Sequence, residues 1–344
     1  METLWYAILA VMLVAYAVLD GFDFGAGIVH LFVARTDEER RDVLAAIGPV
    51  WDGNEVWLIA SGGVLVFAFP RAYAASFSGL YLPLMIVLWL LVLRGVSIEF
   101  RSKLENPLWR AGWDATFSMA SAAMAIVLGV AIGNLVRGVP LDDSGFFEED
   151  LFAVDGSRAG AIDAYTALLG VFSLATLGAH GATYLAFKTS DALQERSRAA
   201  ASRLWQIVIG LGVAATIATA WLERPFFASF LRRPVLWPLP VVAFACALVA
   251  LAALRRGRDL LAFLASSGLI VAMLLATAGT LFPVILRSTL SAAFTIDAFG
   301  AAASPRSLAR GLFVWIPAMA LAVAYFVFLY REFRGKVGAA ERHY

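Results

Sequence analysis

METLWYAILAVMLVAYAVLDGFDFGAGIVHLFV, residues 1–33, decides the fold. After Glu2 nearly every position up to Leu19 is apolar, and about 20 such residues in a helix cross about 30 Å of hydrocarbon. No basic residue precedes the apolar run, so the segment lacks the cationic start of a cleaved secretory signal and reads as a retained first membrane helix. Its second half is unlike an ordinary span. Asp20-Gly21-Phe22-Asp23-Phe24-Gly25-Ala26-Gly27 puts two carboxylates and three glycines where lipid-compatible residues are expected. An Asp at the centre of a membrane helix costs about 2.5–3.5 kcal/mol on insertion scales. The string therefore reads as an interruption of the helix whose carboxylates are neutralised, paired or hydrated.

The remainder of the 344 residues continues the apolar theme, at 61% hydrophobic and a formal charge of +1 from 27 Lys/Arg and 26 Asp/Glu. Soluble domains run at about 45–50% apolar. The balanced charge excludes the clustered basic face that nucleic acid requires. Cys246 is the single cysteine and sits in an apolar run, so it forms no internal disulfide and reads as a packing residue.

Apolar runs separated by charged or Pro/Gly-rich breaks predict an all-α polytopic protein, a single integral membrane domain over 1–344. The nine predicted helices lie near 4–34, 48–69, 75–98, 112–135, 160–187, 200–222, 235–253, 259–284 and 309–331. The second and third, separated by Phe69-Pro70-Arg71-Ala72-Tyr73, are expected to form a tight helical hairpin.

Nine crossings put the termini on opposite sides. Of the 27 Lys/Arg, 18 fall within 35–41, 94–110, 188–203, 255–258 and 331–342, all on one side of that topology. Cytoplasmic loops carry the Lys/Arg excess, which places the N-terminus outside and the C-terminus in the cytoplasm. REFRGKVGAAER at 331–342 is then a basic cytoplasmic anchor, and the acidic connection 142–155 a solvated outer cap. Trp51, Trp57, Trp89, Trp109, Trp113, Trp205, Trp221, Trp237 and Trp315 mostly fall near predicted helix ends and read as interface anchors.

On this topology Asp20 and Asp23 lie past the midpoint of the first helix, towards the cytoplasm. They admit two readings: carboxylates that satisfy backbone where glycines bend the helix or let another helix pack closely, or groups facing a hydrated cavity that exchange protons, with Asp23 preferred. Pro49 suits the first turn of the second helix, and Asp52 and Glu55, three residues apart, share one of its faces. Acidic residues near a helix N-terminus are also favoured by its dipole. The third helix ends at the same depth with Arg94, Glu99 and Arg101. Four carboxylates from two helices and two arginines from a third thus share the cytoplasmic half, which reads as an inward-facing polar passage. Arg94 either holds a nearby Asp ionised or snorkels to the interface.

A subunit holding several haems needs several axial ligands, and only His30, His180 and His343 are present. His30 near the end of the first helix is expected at the interface, His180 in hydrogen-bonded packing, and His343 in the tail.

At these residues the chain resembles a known family, subunit II of the cytochrome bd ubiquinol oxidases and their cyanide-insensitive relatives. The similarity is carried by Asp-Gly-Phe-Asp-Phe-Gly at 20–25, Trp-Asp-Gly-Asn-Glu-Val-Trp-Leu at 51–58, Phe-Ser-Gly-Leu-Tyr at 77–81 and Arg94 through Lys103. Gly133-Asn134-Leu135 with Gly138-Val139-Pro140, and Gly181-Ala182-Thr183-Tyr184-Leu185, add to it. The second half matches more loosely, through its helix pattern and Thr280-Leu281-Phe282-Pro283.

The resemblance implies a nine-helix subunit without haem in a bacterial cytoplasmic (inner) membrane. Its partner would be a haem-bearing subunit I with two b-type haems and one d-type haem, at times joined by a small single-helix subunit. The complex would oxidise quinol, reduce oxygen to water and contribute to the proton-motive force. It further implies that Asp23 and Asp52 match carboxylates of a cytoplasmic proton route, with Arg94 beside it, and that membrane lipid and a structural quinone contact this subunit. Two other readings of the same residues are a proton-coupled secondary transporter, whose broken helices carry midplane carboxylates, and a purely structural scaffold.

Overall fold

The computed structural model describes residues 1–147, 151–152 and 160–337. Twelve α-helices are present among them: α1 (Glu2–Val33), α2 (Asp37–Ile47), α3 (Trp51–Ala68), α4 (Pro70–Gly79), α5 (Tyr81–Phe100), α6 (Pro107–Arg137), α7 (Ala164–Lys188), α8 (Asp191–Leu222), α9 (Arg224–Leu231), α10 (Pro238–Arg255), α11 (Asp259–Leu281) and α12 (Pro305–Glu332). Two short strands, β1 (Val284–Leu286) and β2 (Ile296–Asp297), pair antiparallel before α12. The chain is a multi-pass membrane protein: eight of these helices are long and apolar enough to cross a bilayer. The ninth predicted crossing is α3, whose 18 residues open with Asp52, Asn54 and Glu55 within one turn, which dilutes its apolar run.

Helix starts follow local chemistry. Thr36 and Glu39 form a reciprocal capping box on α2, as do Asp163 and Thr166 on α7. Asn106 caps α6, Ser304 caps α12, and a proline follows each cap.

Helix α1 is central, packed against α3, α6, α7 and α11. It runs unbroken through Asp20–Gly27, correcting the expected interruption. The glycines serve close approach instead. A Cβ on Gly25 would lie 2.0 Å from the Leu177 carbonyl oxygen and 2.5 Å from the Gly181 nitrogen, so α1 and α7 touch backbone to backbone as small residues allow.

Several boundaries differ from expectation. Phe69–Tyr73 is not a hairpin turn, because Pro70 starts α4 and only Leu80 separates α4 from α5. Gly48–Val50 form the turn before α3, so Pro49 precedes the helix rather than occupying its first turn. The loop after α1 folds as α2, and α8 begins at Asp191, nine residues before the expected start, since its first turns are charged and escape an apolar scan. Trp205 is not an interface anchor: it is fully buried and donates Nε1–H to Thr183 Oγ1. Parts of the acidic connection (148–150, 153–159) and of the basic tail (338–344, with His343) lie outside the described residues.

Candidate functional site

Four helices bring polar side chains to one buried place. Asp20 and Asp23, three apart on α1, share a face, and both are buried. From α5, the fully buried Arg94 donates from one terminal nitrogen to Asp20 Oδ1 (2.5 Å) and from the other to Glu55 Oε2 on α3 (3.0 Å). Its guanidinium lies over the Phe24 ring, 4.3 Å from the centroid, a cation–π contact that strengthens when desolvated. Arg94 therefore bridges three helices instead of snorkelling to the interface.

Beside this bridge, Asn54 on α3 donates Nδ2–H bonds to Asp23 Oδ2 (2.8 Å) and to the Leu19 carbonyl (3.1 Å). Its Oδ1 accepts from Tyr330 Oη on α12 (3.1 Å). Two carboxylates, those of Asp20 and Glu55, thus meet one guanidinium, with Asp23 held beside them by Asn54. Asp23 Oδ1 is buried without a hydrogen-bond partner among the described residues. A carboxylate left in that condition calls for a proton or a water, which is the property a proton-transfer group needs.

The arrangement is tighter than the cluster expected from sequence and omits three of its members, Asp52, Glu99 and Arg101. Glu55 is partly exposed and forms the outer edge. Asp52 and Glu99 are exposed and make no ion pair or hydrogen bond among the described residues. Arg101 belongs elsewhere. It pairs with Asp114 on α6 (Nε to Oδ1, 2.5 Å) and with Asp37 on α2 (2.8 Å).

Asp114 is the centre of a second buried cluster and also accepts from Arg40 (2.9 Å) and from His30 Nε2 (2.8 Å). His30 is fully buried there, correcting its expected interfacial place. Arg110 and Arg41 complete the shell around Asp37, at 2.9 and 3.1 Å. Burial pushes the Asp37 carboxyl up, but the Arg101 hydrogen bond and charge, with Arg110 and Arg41, outweigh it and hold the group below the usual carboxylate range.

Asp114, Asn54 and Tyr330 were not singled out from sequence. Asp114 carried a usable signal, a lone carboxylate near the start of an apolar helix. Asn54 and Tyr330 carried none by charge.

His180 packs as expected: Nε2 donates to the Val18 carbonyl (3.0 Å), Nδ1 lies 2.7 Å from Ser266 Oγ, and the ring stacks on Phe263. Both of its nitrogens are thus engaged by protein, and His30 spends Nε2 on Asp114. Among the described residues no group of three or more His, Cys, Asp and Glu is placed to hold a metal ion.

Residues 1–333 match the family model described as cytochrome bd terminal oxidase subunit II. The chain is 31% identical over 364 residues to the probable cytochrome oxidase subunit 2 of Haemophilus influenzae, covering 98% of this chain and 95% of that one. It is 31% identical over 366 residues to the cytochrome bd-I ubiquinol oxidase subunit 2 of Escherichia coli K12, covering 97% and 94%. Identity to the cytochrome bd ubiquinol oxidase subunit 2 of Bacillus subtilis is 31% over 346 residues, covering 99% and 98%. In fold it is similar to a chain of the bd oxidase from Geobacillus thermodenitrificans, with a TM-score of 0.73 at 19% identity, covering 95% and 98%. A match over nearly the whole chain, together with two relatives described as subunit 2 of cytochrome bd ubiquinol oxidases, shows that this protein belongs to the subunit II family of the cytochrome bd terminal oxidases.

Proposed function

We propose that this chain is the haem-free second subunit of a quinol:oxygen oxidoreductase in a bacterial cytoplasmic membrane, and that it conducts protons from the cytoplasm toward a haem-bearing companion subunit. Haems on that companion supply the electron transfer and the oxygen chemistry. The engagement of both His180 nitrogens by protein groups, and of His30 Nε2 by Asp114, supports placing the ligands there. The Lys/Arg distribution supports an outer N-terminus and a cytoplasmic C-terminus. A structural quinone and a small third subunit remain compatible partners, and no side chain here specifies either.

One observation carries the proton role: a buried Asp23 with one oxygen held only by the neutral Asn54 amide and the other unpartnered, next to an Asp20–Arg94–Glu55 bridge that reaches the partly exposed edge. In this reading exposed Asp52 gathers protons at the start of α3, and Glu55 passes them inward. Arg94 keeps Asp20 anionic and the bridge in place. Asp23 takes up and gives up the transferred proton. Drawing protons from the cytoplasm for oxygen reduction separates charge, worth about 2.3 kcal/mol per charge per 100 mV.

The unbroken α1 removes the broken-helix feature that favoured a transporter. A scaffold without proton transfer is separated by experiment. Oxygen consumption is measured for assembled complexes with full haem content carrying Asp23→Asn or Asp52→Asn. A fall in turnover supports the route, and unchanged turnover in both removes it.

A further inference from the structure

Helix α12 engages the bundle sparingly, and only Leu308 and Leu329 along it are buried. Its apolar surface is largely exposed, with Phe313, Val314, Leu321 and Phe328 all outward. Yet at its lower end it delivers one polar group into the buried centre, Tyr330 Oη on Asn54 Oδ1. The contact joins positions 276 residues apart and is held from two sides. Above it, Phe326 stacks on Tyr330 (6.3 Å) and packs on Trp57 (5.6 Å), and the absent Cβ of Gly53 leaves room 3.6 Å from the Phe326 ring. Below it, Lys188 Nζ donates to the Phe333 carbonyl (2.7 Å), and the Val337 amide donates to the Lys188 carbonyl (2.8 Å).

From this geometry we infer that Tyr330 is a positioning residue for proton transfer at Asp23, acting through Asn54. The inference rests on the proton-route reading above. An amide side chain offers a donor end and an acceptor end of nearly equal shape. Asp23 needs the donor end. Tyr330 occupies the acceptor end with an O–H donor, while the Leu19 carbonyl takes one Nδ2 hydrogen, so the second Nδ2 hydrogen points at Asp23. A hydroxyl that polarises the amide carbonyl also makes the amide N–H a stronger donor to Asp23 Oδ2, because hydrogen bonds in a chain reinforce one another. Removing the hydroxyl therefore weakens the one fixed partner of Asp23 and leaves Asn54 Oδ1 buried without a donor. Tyr330 transfers no proton itself: Asn54 stands between the two and has no dissociable proton to pass on.

The test uses the intact, haem-replete complex with two readouts, the carboxyl C=O band in reaction-induced infrared difference spectra and the pH profile of oxygen consumption. Asp23→Asn identifies the band by removing it. Tyr330→Phe is expected to shift that band, displace the pH profile and lower turnover about three- to tenfold. Tyr325→Phe, which removes an exposed hydroxyl from the same helix, leaves both in place. In an Asn54→Ala background, Tyr330→Phe adds nothing further, because its effect runs through Asn54. If Tyr330→Phe loses haem, replacement of Tyr330 by 3-fluorotyrosine keeps the ring and changes the acidity of its hydroxyl, and the same band must shift. A band and pH profile unmoved by the position-330 variants, with the band still lost in Asp23→Asn, overturn the role of Tyr330 and leave the proton route standing. No band lost in Asp23→Asn, together with unchanged turnover, overturns the route and this inference with it.

Discussion

The Arg94 and Asp114 clusters are built from the same residue types on neighbouring helices and are charged in opposite senses. Around Arg94 one guanidinium pairs with Asp20 and Glu55, and Asp23, three residues on from Asp20, is held by Asn54. Around Asp114 one carboxylate accepts from Arg101, Arg40 and His30, and Arg101 continues to Asp37 with its own arginine shell. Both oxygens of Asp114 and both of Asp37 are engaged by cationic or imidazole groups, and removing one member of a buried pair leaves the other uncompensated, so the Asp114 cluster suits holding helices together. A buried cluster with a spare carboxylate oxygen, as at Asp23, suits a changing proton count. The contrast locates the chemistry by which carboxylate oxygens are left unpaired rather than by how many acids are present.

The sharpest way to break the comparison is Asp114→Ala. It leaves His30 without its partner and Arg101 with Asp37 alone in a buried site, and is expected to cost about 3–5 kcal/mol, read as loss of assembled complex or a large drop in its melting temperature. Asp23→Asn should behave in the opposite manner, with melting near that of the parent but turnover down about tenfold or more. If both variants lose stability and neither loses turnover selectively, the two clusters are the same kind of object.

A smaller effect is expected at Asp37, itself 38% exposed, two of whose three arginine partners are partly exposed and whose third, Arg101, keeps Asp114 as a second partner. Its carboxyl titrates below the usual range when folded. Its contribution is therefore complete above the ordinary carboxylate value and lost only as pH falls through the depressed one. Melting should stay flat from neutrality to about pH 5 as far as this group is concerned, and Asp37→Asn should cost about 0.2–1 kcal/mol. The smallest effect is expected for Glu99→Gln, an exposed group outside both clusters, with turnover changing by less than about twofold.

The membrane helices were legible because twenty apolar residues in a row have few other uses. The joints between them were not. Helix α2 and the first turns of α8 are polar, and their periodicity is visible only once charged faces are allowed to count. At the site, charge within apolar runs pointed to Asp20, Asp23, Glu55 and Arg94, all of which meet or adjoin. It placed Asp52 on the same face as Glu55, but three residues along a helix still differ by about 60° in direction, enough for Glu55 to reach Arg94 while Asp52 stays exposed at the start of α3. Asn54 and Tyr330 were invisible to a search for charge. The loops distracted from Asp114, which the same rule would have found.

The meeting of Gly25 with Gly181 bears on how precisely any of this can be set. With main chain against main chain, no rotamer between the two rods can yield, so sliding or rolling one past the other meets a hard stop within a fraction of an ångström. The carboxyls of Asp23 and Asp20, about half a turn and one and a half turns earlier on that rod, inherit their height against α7 from this contact. Adding a single methyl at either glycine would reset that height for every group on the helix at once.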